Sequence, residues 1–391
     1  MADDKVPGLR PDSRLVHPDA HASREFRSLS MPVYRASTVL FDKVADAHDK
    51  SSLKGDYTYG LHATPTSREL ALRIAEIEGA EHCVLVPSGL AAISLVYLAL
   101  CKTGDHVLVP HSAYGPNSRL GNSLLKGLGI SVEHYDPMIG GGVADLINDN
   151  TALIWCESPG SITMEVQDLP AITAAARSRG VPVALDNTYG AGMLFDPFEL
   201  GVDISVQALT KYVAGHSDCL MGSVTCRDDR LSRRLAEANL VLGLGVSPDD
   251  CALVLRGIPT LRLRMERIGQ SALTVAQWLK QRPEVERVLH PALPDCPGHE
   301  YWRRDFSGSA GIFSVIFRDW DWATTERFVD SLKLFPVGFS WGGVASLAMA
   351  YRDLARPTPD EGPRLVRLNI GLEDPQDLID DLQQALDYSS R

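Results

Sequence analysis

The sequence predicts an α/β protein with two domains, a large one built on a mostly parallel sheet and a smaller α+β one. Between residues 67 and 186, short apolar runs alternate with stretches of helical periodicity, which is typical of βαβ units. The chain has 391 residues, more than a single hydrophobic core usually accommodates. From about residue 250 the alternation gives way to a long helical stretch followed by strands and helices, which indicates the second domain.

The predicted elements follow this division in chain order. Residues 1–60 are rich in Pro, Ser, Arg and Asp and lack periodicity, so we expect an extended arm that makes dimer contacts. The large domain, residues 61–255, has predicted helices at 67–80, 89–100 and 169–178 and strands at 83–87, 106–110, 130–135, 152–157 and 183–186. A long helix at 248–279 leads into the small domain, residues 256–391, with a strand at 311–317 and helices at 322–332 and 375–388.

Composition and charge disfavour several classes of protein. Apolar residues make up 45% of the chain and charged residues 23%, as in ordinary soluble domains, and no apolar run is long enough to span a bilayer. The formal net charge of −12 disfavours a nucleic-acid surface. The seven cysteines form no Cys-x-x-Cys pair, so we expect reduced thiols in a cytoplasmic protein and no metal site. The N-terminus also lacks the basic start and apolar core of a signal peptide.

A lysine and an aspartate stand at the ends of two strand-like runs. Lys211 follows such a run, and its neighbours Tyr212 and Val213 are unlike those of a solvated surface. A lysine in this position can form a Schiff base with pyridoxal phosphate (PLP), although a surface lysine at a strand end is the common alternative. Asp186 ends an apolar run about 25 residues earlier. Its carboxylate could keep the cofactor's ring nitrogen protonated, or it could be an ordinary turn or N-cap aspartate.

Three further positions suit the same kind of site. Gly89 and Leu90 begin a predicted helix, whose free N–H groups could bind a phosphate. Tyr114 follows a predicted strand, where an aromatic ring could stack on a planar cofactor, although a core or turn tyrosine fits the pattern equally well. Arg367 lies inside an apolar strand and needs a fixed partner there. The carboxylate of an amino-acid substrate would provide that partner.

Short motifs occur in a characteristic order from about residue 35 to residue 388. Besides Arg367, they occupy residues 57–60, 64–66, 87–89, 113–114, 157–166, 186–188, 210–212, 215–218, 256–261, 290–294, 340–343 and 371–374. In number and order these motifs resemble the Cys/Met-metabolism group of PLP-dependent enzymes, and within it most closely the cystathionine β-lyases. The resemblance implies the aspartate aminotransferase-like fold (PLP fold type I), with a mostly parallel sheet of seven strands in the large domain.

The resemblance also implies roles at the cofactor. Lys211 would form the Schiff base with PLP and transfer protons as a catalytic base, together with Tyr114 and Tyr59. Asp186 would bind the pyridine nitrogen, and Tyr114 would stack on the ring. The phosphate would be held by four residues, the last of them from a neighbouring subunit: Gly89, Leu90, Thr210 and Tyr59.

A substrate site and an assembly follow from the same resemblance. Arg367 and Ser340 would hold the α-carboxylate of a small sulfur amino acid, and Trp341 would shape the pocket. Because Tyr59 would reach the site of another subunit, the enzyme would be at least a dimer. The family usually forms a homotetramer of two such dimers, with active sites shared across the dimer interface.

The choice of reaction depends on two motifs, because γ-lyases and γ-synthases share the fold and cofactor. Those relatives usually carry Glu-Ser-Pro-x-Asn-Pro, and this chain has Ser161-Ile162 in place of Asn-Pro. That difference and the motif at 340–343 favour β-elimination of L-cystathionine to homocysteine, pyruvate and ammonia, a step of methionine biosynthesis. The alternatives are a lyase for other cysteine S-conjugates, a γ-lyase or γ-synthase, and a non-enzymatic PLP-binding regulator.

Two positions depart from the family pattern. Leu61 stands where an arginine often follows the phosphate-binding tyrosine by two positions, so that phosphate contact would be missing or supplied elsewhere, for instance by His62. Ala208 stands where a serine is often found. Both differences concern the expected affinity for phosphate rather than the chemistry.

Overall fold

The computed structural model describes residues 10–17, 29–48, 57–354, 356–357 and 359–389. In the predicted N-terminal arm it contains two short helices, α1 (Pro11–Val16) and α2 (Val44–His48). Thr38 forms an isolated antiparallel bridge with Tyr59. The remainder of the predicted arm, at 1–9, 18–28 and 49–56, lies outside the described residues.

A seven-stranded sheet forms the centre of the large domain, as expected. Its strands are β1 (His82–Val86), β2 (His106–Pro110), β3 (Ser131–Tyr135), β4 (Thr151–Glu157), β5 (Val183–Asp186), β6 (Ile204–Ala208) and β7 (Gly222–Cys226). Their order across the sheet is β1-β7-β6-β5-β4-β2-β3. Strand β7 is antiparallel to both of its neighbours, and the other neighbouring pairs are parallel.

Helices cover both faces of this sheet. They are α3 (Pro65–Glu78), α4 (Gly89–Leu100), α5 (Gly115–Leu120), α6 (Leu169–Ser178) and α7 (Asp229–Leu242), and a π-helical turn, Gly121–Leu125, continues α5. Alternate residues of β4 enter different cores: Ile154 belongs to one apolar cluster and Trp155 to the other. Burial on both faces is the usual condition of a parallel sheet.

The prediction of one continuous helix over 248–279 is wrong. The structure has two helices, α8 (Pro248–Gly257) and α9 (Leu261–Leu279), separated by the 3-10 turn Ile258–Thr260. Pro259 has no backbone N–H, so the α-helical hydrogen bonding cannot continue through this point. The break brings the start of α9 against the turn that follows Lys211, where Arg264 donates to the carbonyl oxygen of Tyr212.

A smaller antiparallel sheet forms the C-terminal part of the fold. Its strands are β8 (Val285–Leu289), β9 (Ile312–Phe317), β10 (Leu347–Ala350) and β11 (Leu365–Asn369), in the order β10-β11-β9-β8. Helices α10 (His299–Asp305), α11 (Trp322–Ser331) and α12 (Pro375–Ser389) accompany it. An apolar core around Phe313, Phe317 and Phe328 joins this sheet to its helices. The domain limits at residues 60 and 255 stay a prediction.

The large sheet determines where a ligand can lie. The carboxyl ends of β2, β4, β5 and β6 meet at one edge, because these strands are parallel. In such sheets ligands bind beyond that edge. Among the described residues, no helix is long and apolar enough to cross a membrane. Nor do His, Cys, Asp and Glu side chains in the described ranges form a cluster of three or more that could hold a metal ion.

Candidate active site

A cavity opens at the carboxyl edge of the large sheet. Seven of the ten residues that the sequence analysis assigned to a site line it: Gly89, Leu90, Tyr114, Asp186, Thr210, Lys211 and Trp341. Ser340 joins them through a hydrogen bond to Lys211, and Arg367 is close enough to alter the pKa of that lysine. Tyr59 does not line the cavity. The fold therefore brings nine of the ten residues together within one chain.

The amine of Lys211 lies among groups of both charge signs. Its Nζ donates a hydrogen bond to Ser340 Oγ over 2.7 Å and lies 5.5 Å from the centre of the Trp341 ring. Burial and the nearby Arg367 guanidinium lower the pKa of Lys211 to about 8, and the Asp186 carboxylate opposes this shift. A neutral amine is therefore available near neutral pH, as a nucleophile or a base requires.

The carboxylate of Asp186 is fixed by the turn that follows β5. The backbone N–H and the hydroxyl of Thr188 both donate to Oδ1, over 3.0 and 2.6 Å. The same hydroxyl accepts the N–H of Ala208 over 2.9 Å, which ties the ends of β5 and β6 together. Burial raises the pKa of Asp186, while the bonds from Thr188 and the charge of Lys211 oppose the rise. Its other oxygen, Oδ2, receives neither bond from Thr188.

The N-terminus of α4 is suited to an anion. Ser88 caps the helix by accepting the N–H of Ala91 at its hydroxyl over 3.1 Å. The N–H groups of Gly89 and Leu90 meet no acceptor in the described part of the chain. Glycine is required at position 89, because a Cβ there would lie 2.6 Å from the Cβ of Ala208. An anion at this point would receive two N–H groups and the positive end of the helix dipole.

Two other residues expected at the phosphate have different surroundings. The hydroxyl of Thr210 donates to the Met221 carbonyl oxygen over 3.2 Å and accepts the Met221 N–H over 3.1 Å. To donate to a phosphate it would have to release that carbonyl. Tyr59 is 47% exposed, and His62, the expected substitute for the arginine missing at Leu61, is exposed as well. In this chain alone, neither Tyr59 nor His62 reaches the cavity lining.

Tyr114 is held through its backbone rather than through its ring. The ring is 42% exposed at the start of α5, and the backbone N–H donates to Glu157 Oε2 over 2.7 Å. Glu157 ends β4 directly opposite Asp186 on β5. Burial, reinforced by the charge of Asp186, raises the pKa of Glu157 well above its usual range. The cavity therefore has two neighbouring carboxyls, and Glu157 is the one that stays protonated to higher pH.

Arg367 occupies the middle of β11 and is only 8% exposed. Its Nη2 donates to the carbonyl oxygen of Ser340 over 3.2 Å, and its guanidinium lies 5.5 Å from the centre of the Tyr351 ring. No carboxylate in the described part of the chain forms an ion pair with it. A buried guanidinium without such an ion pair is available to bind the carboxylate of a ligand.

The segment 340–343 passes directly beside Lys211. Gly342 has a φ of 80°, and a Cβ at this position would lie 3.1 Å from the Cβ of Lys211. Its N–H donates to Asn369 Oδ1 over 2.9 Å, which anchors the segment to β11. Ser340 has a φ of 80° as well, a strained value for a residue other than glycine. The close approach lets Ser340 accept the hydrogen bond from the lysine amine.

The sequence analysis did not assign roles to three residues that shape this site. Glu157 stood within a quoted motif, Thr188 followed Asp186, and Arg264 lay in a helix at apolar spacing. Arg264 is 5% exposed and donates to the carbonyl oxygens of Tyr212, Val213 and Gly257. A charged residue at a core position of a helix was the available signal, but its acceptors are carbonyls that only the fold brings near.

These residues fit PLP. Lys211 offers an amine of lowered pKa for the aldehyde, and Asp186 offers a fixed carboxylate for the ring nitrogen. The unpaired N–H groups at the start of α4 suit the phosphate, and Tyr114 offers an aromatic face. Arg367 adds a cation for the carboxylate of an amino acid. The cavity can therefore hold this cofactor and an amino-acid substrate next to one base.

Comparisons with known proteins agree with this chemistry. The family model described as Cys/Met metabolism PLP-dependent enzyme matches residues 12–387. A putative cystathionine beta-lyase of Rhizobium johnstonii is 45% identical over 387 residues, which cover 97% of this chain and 96% of that relative. Cystathionine beta-lyase MetC of Escherichia coli is 40% identical over 394 residues, covering 98% of both chains. The crystal structure of metB from Corynebacterium glutamicum has a TM-score of 0.90 and 30% sequence identity, covering 96% of this chain and 97% of that chain.

Proposed function

The chain belongs to the Cys/Met metabolism family of PLP-dependent enzymes, and we propose that it is a carbon–sulfur lyase that converts L-cystathionine into homocysteine, pyruvate and ammonia. The relatives named for this activity, one of them as putative, are 40% and 45% identical to it over nearly their whole length. The observation that carries the proposal is the convergence of Lys211, Asp186 and Arg367 on one cavity. The reaction supplies homocysteine for methionine biosynthesis.

The residues that hold the cofactor are those that line the cavity at the sheet edge. Lys211 would bind its aldehyde, Asp186 would bind its ring nitrogen, and Tyr114 would cover one face of its ring. Gly89, Leu90 and Thr210 hold the phosphate. When bound, PLP withdraws electrons from the substrate's Cα, which makes the Cα proton acidic enough to be removed.

The substrate is oriented by its α-carboxylate. The buried Arg367 guanidinium binds this carboxylate, and Ser340 lies between Arg367 and the lysine amine. Trp341 lines the cavity beside Lys211 and restricts the position of the substrate's side chain. This arrangement directs Cα toward Lys211 Nζ, whose lowered pKa gives it a larger neutral fraction near neutral pH than an ordinary lysine has.

The reaction breaks the Cα–H and Cβ–S bonds of cystathionine. Lys211 Nζ takes the Cα proton, and the electrons of that bond form a double bond between Cα and Cβ. The Cβ–S electrons leave on sulfur as homocysteine thiolate, which takes up a proton. The three-carbon enamine that remains is hydrolysed to pyruvate and ammonia after release. Atoms balance with one water, and no oxidant or reductant is needed.

The functional enzyme is a homo-oligomer with shared sites. Tyr59 lies outside the cavity of its own chain and is half exposed, which supports a role at the site of a neighbouring subunit. A homotetramer of two such dimers is the assembly that we propose. The seven cysteines are all free, which suits a reducing cytoplasm.

A comparison of substrates tests the proposed specificity. The rival lyase for other cysteine S-conjugates would use the same steps, because the distal group of the thioether takes no part in them. We expect kcat/KM for L-cystathionine to exceed that for S-methyl-L-cysteine, with pyruvate formed from both and none formed by Lys211→Ala. Turnover of S-methylcysteine without turnover of cystathionine would favour the rival.

A further inference from the structure

Both polar groups of one peptide unit at the cavity are bound by ionisable side chains. The unit joins Ala113 to Tyr114. Its N–H donates to Glu157 Oε2 over 2.7 Å, and its carbonyl oxygen accepts Arg356 Nη2 over 3.1 Å. The bond from Arg356 has a charged donor, and charge-assisted hydrogen bonds are stronger than neutral ones. The orientation of this peptide is therefore fixed through both its N–H and its carbonyl oxygen.

The two side chains come from different parts of the fold. Glu157 ends β4 of the large sheet, whereas Arg356 belongs to the connection between β10 and β11 of the small sheet. The same Nη2 of Arg356 also donates to the carbonyl oxygens of Ser112 and Ser161, over 3.2 and 2.8 Å. Through these hydrogen bonds Arg356 holds together the loops that follow β2 and β4. A residue of the small-sheet region fastens the loops that border the cavity in the large domain.

Burying the side chains of Glu157 and Arg356 costs free energy, so their hydrogen bonds indicate a specific role. Glu157 is 8% exposed, and Arg356 is partly buried beside it. Charged groups in such positions remain only where they are hydrogen-bonded or paired. The Tyr114 ring is itself 42% exposed, so packing alone does not fix its direction. Its direction depends on the backbone that Glu157 and Arg356 hold.

We propose that Glu157 and Arg356 are positioning residues that clamp the Ala113–Tyr114 peptide and so set the Tyr114 ring against the cofactor. The proposal rests on the proposed role of Tyr114 at PLP. It also gives the small-sheet region a direct effect on cofactor binding. Tyr351 begins the connection that carries Arg356, and its ring lies 5.5 Å from the Arg367 guanidinium. The clamp is therefore next to the group that receives the substrate carboxylate.

Hydrogen exchange in the cofactor-free protein tests the clamp itself. Mass spectrometry with overlapping peptides isolates the Tyr114 amide, and we expect Glu157→Ala to accelerate its exchange about tenfold, since the hydrogen bond from the Tyr114 N–H to the carboxyl oxygen is lost. Glu157→Gln retains an acceptor and should exchange more slowly than Glu157→Ala. Arg356→Met should also accelerate exchange, whereas the exposed neighbour Arg352→Met should not. Wild-type exchange in both Glu157→Ala and Arg356→Met would overturn the clamp.

A double-mutant cycle tests whether the clamp acts through Tyr114. We expect Arg356→Met to raise the Kd for PLP about tenfold and to change the visible circular dichroism of the bound cofactor. In a Tyr114→Ala background the same substitution should add less than twofold to the Kd, because coupled residues are not additive. An equal increase in both backgrounds would show a merely structural role and overturn the proposal. These binding measurements do not depend on which amino acid is the substrate, so failure of the lyase assay would leave them interpretable.

Discussion

Lys211 illustrates how burial and two charged neighbours tune one amine. Its burial and the Arg367 charge favour the neutral form, and the Asp186 carboxylate favours the charged form. The net effect is a pKa of about 8, well below the 10.5 of an ordinary lysine. A base is most effective when its pKa lies near the working pH, so this balance suits proton removal from Cα.

The first prediction concerns this pKa. Because the neutral amine is the reactive form, acetylation of Lys211 by acetic anhydride in the cofactor-free protein should rise with pH through a midpoint near 8. Arg367→Leu removes a nearby positive charge and should move the midpoint upward, whereas the exposed Arg352→Leu should not. Competitive labelling read by mass spectrometry gives the midpoint. A wild-type midpoint near 10.5 would show that Lys211 is an ordinary surface amine.

At this scale the sequence predicts charged residues better than their partners. Lys211, Asp186 and Arg367 could be identified because a charge at the end or inside of an apolar run needs an explanation. The same reasoning could not find Arg356 as a partner of the Ala113 carbonyl next to Tyr114, since 243 positions separate the two residues and the acceptor is a backbone group. A role that depends on a backbone acceptor is hard to recognise from the order of side chains in the sequence.

Among the elements, the start of α4 has a strict steric requirement at the site. Gly89 lies against Ala208 at the end of β6, and a Cβ at 89 would lie 2.6 Å from the Ala208 Cβ and 3.2 Å from its Cα. The N–H groups proposed to hold phosphate depend on this approach. The side chain that fits at position 89 therefore depends on the size of the side chain at position 208.

The second prediction tests that coupling. Gly89→Ala should weaken PLP binding about tenfold or more and lower Tm, because overpacking of this kind costs about 1–3 kcal/mol. Adding Ala208→Gly should restore part of the loss, since the closest remaining contact with residue 208 is then the one of 3.2 Å to its Cα. Gly127→Ala is a matched control, because nothing lies within 4 Å of a Cβ there. Equal Kd values for PLP in the wild type and Gly89→Ala would contradict the assigned phosphate site.

The elements that sequence periodicity predicted and those that it missed differ in their packing. Every helix and strand predicted for the large domain up to residue 186 is confirmed to within two residues. Strand β7 was missed because Ser223 and Thr225 interrupt its apolar character. Thr225 donates to the buried Glu78 carboxyl over 3.4 Å, so its hydroxyl depends on a tertiary contact that the sequence does not reveal. The break at Pro259 was missed because helical periodicity continues on both sides of it.

At the scale of the whole molecule, one chain does not bring every residue assigned to the site to the cavity. Nine of the ten expected residues converge on the cavity, and Tyr59 lies apart from them. The proposed sharing of sites between subunits would account for this arrangement. The mostly parallel sheet and the position of the cavity could be anticipated from the sequence, whereas contacts between subunits involve surfaces that periodicity does not distinguish.

The third prediction is complementation between subunits. Tyr59→Ala and Lys211→Ala should each be nearly inactive alone, and mixing them after mild dissociation should restore activity. In a hybrid dimer one site combines an intact Lys211 with an intact Tyr59, so random exchange should yield about a quarter of the wild-type activity. Two Lys211→Ala preparations with different tags provide the control. Complete failure of exchanged hybrids to regain activity would contradict shared sites.

The identity of the keto acid tests the central claim most directly. Purified protein with PLP and L-cystathionine should release pyruvate and a free thiol in equal amounts, with homocysteine as the thiol, and Lys211→Ala should release neither. These products require cleavage between Cβ and sulfur. Release of 2-oxobutyrate with cysteine would place the break at the γ carbon and contradict the account.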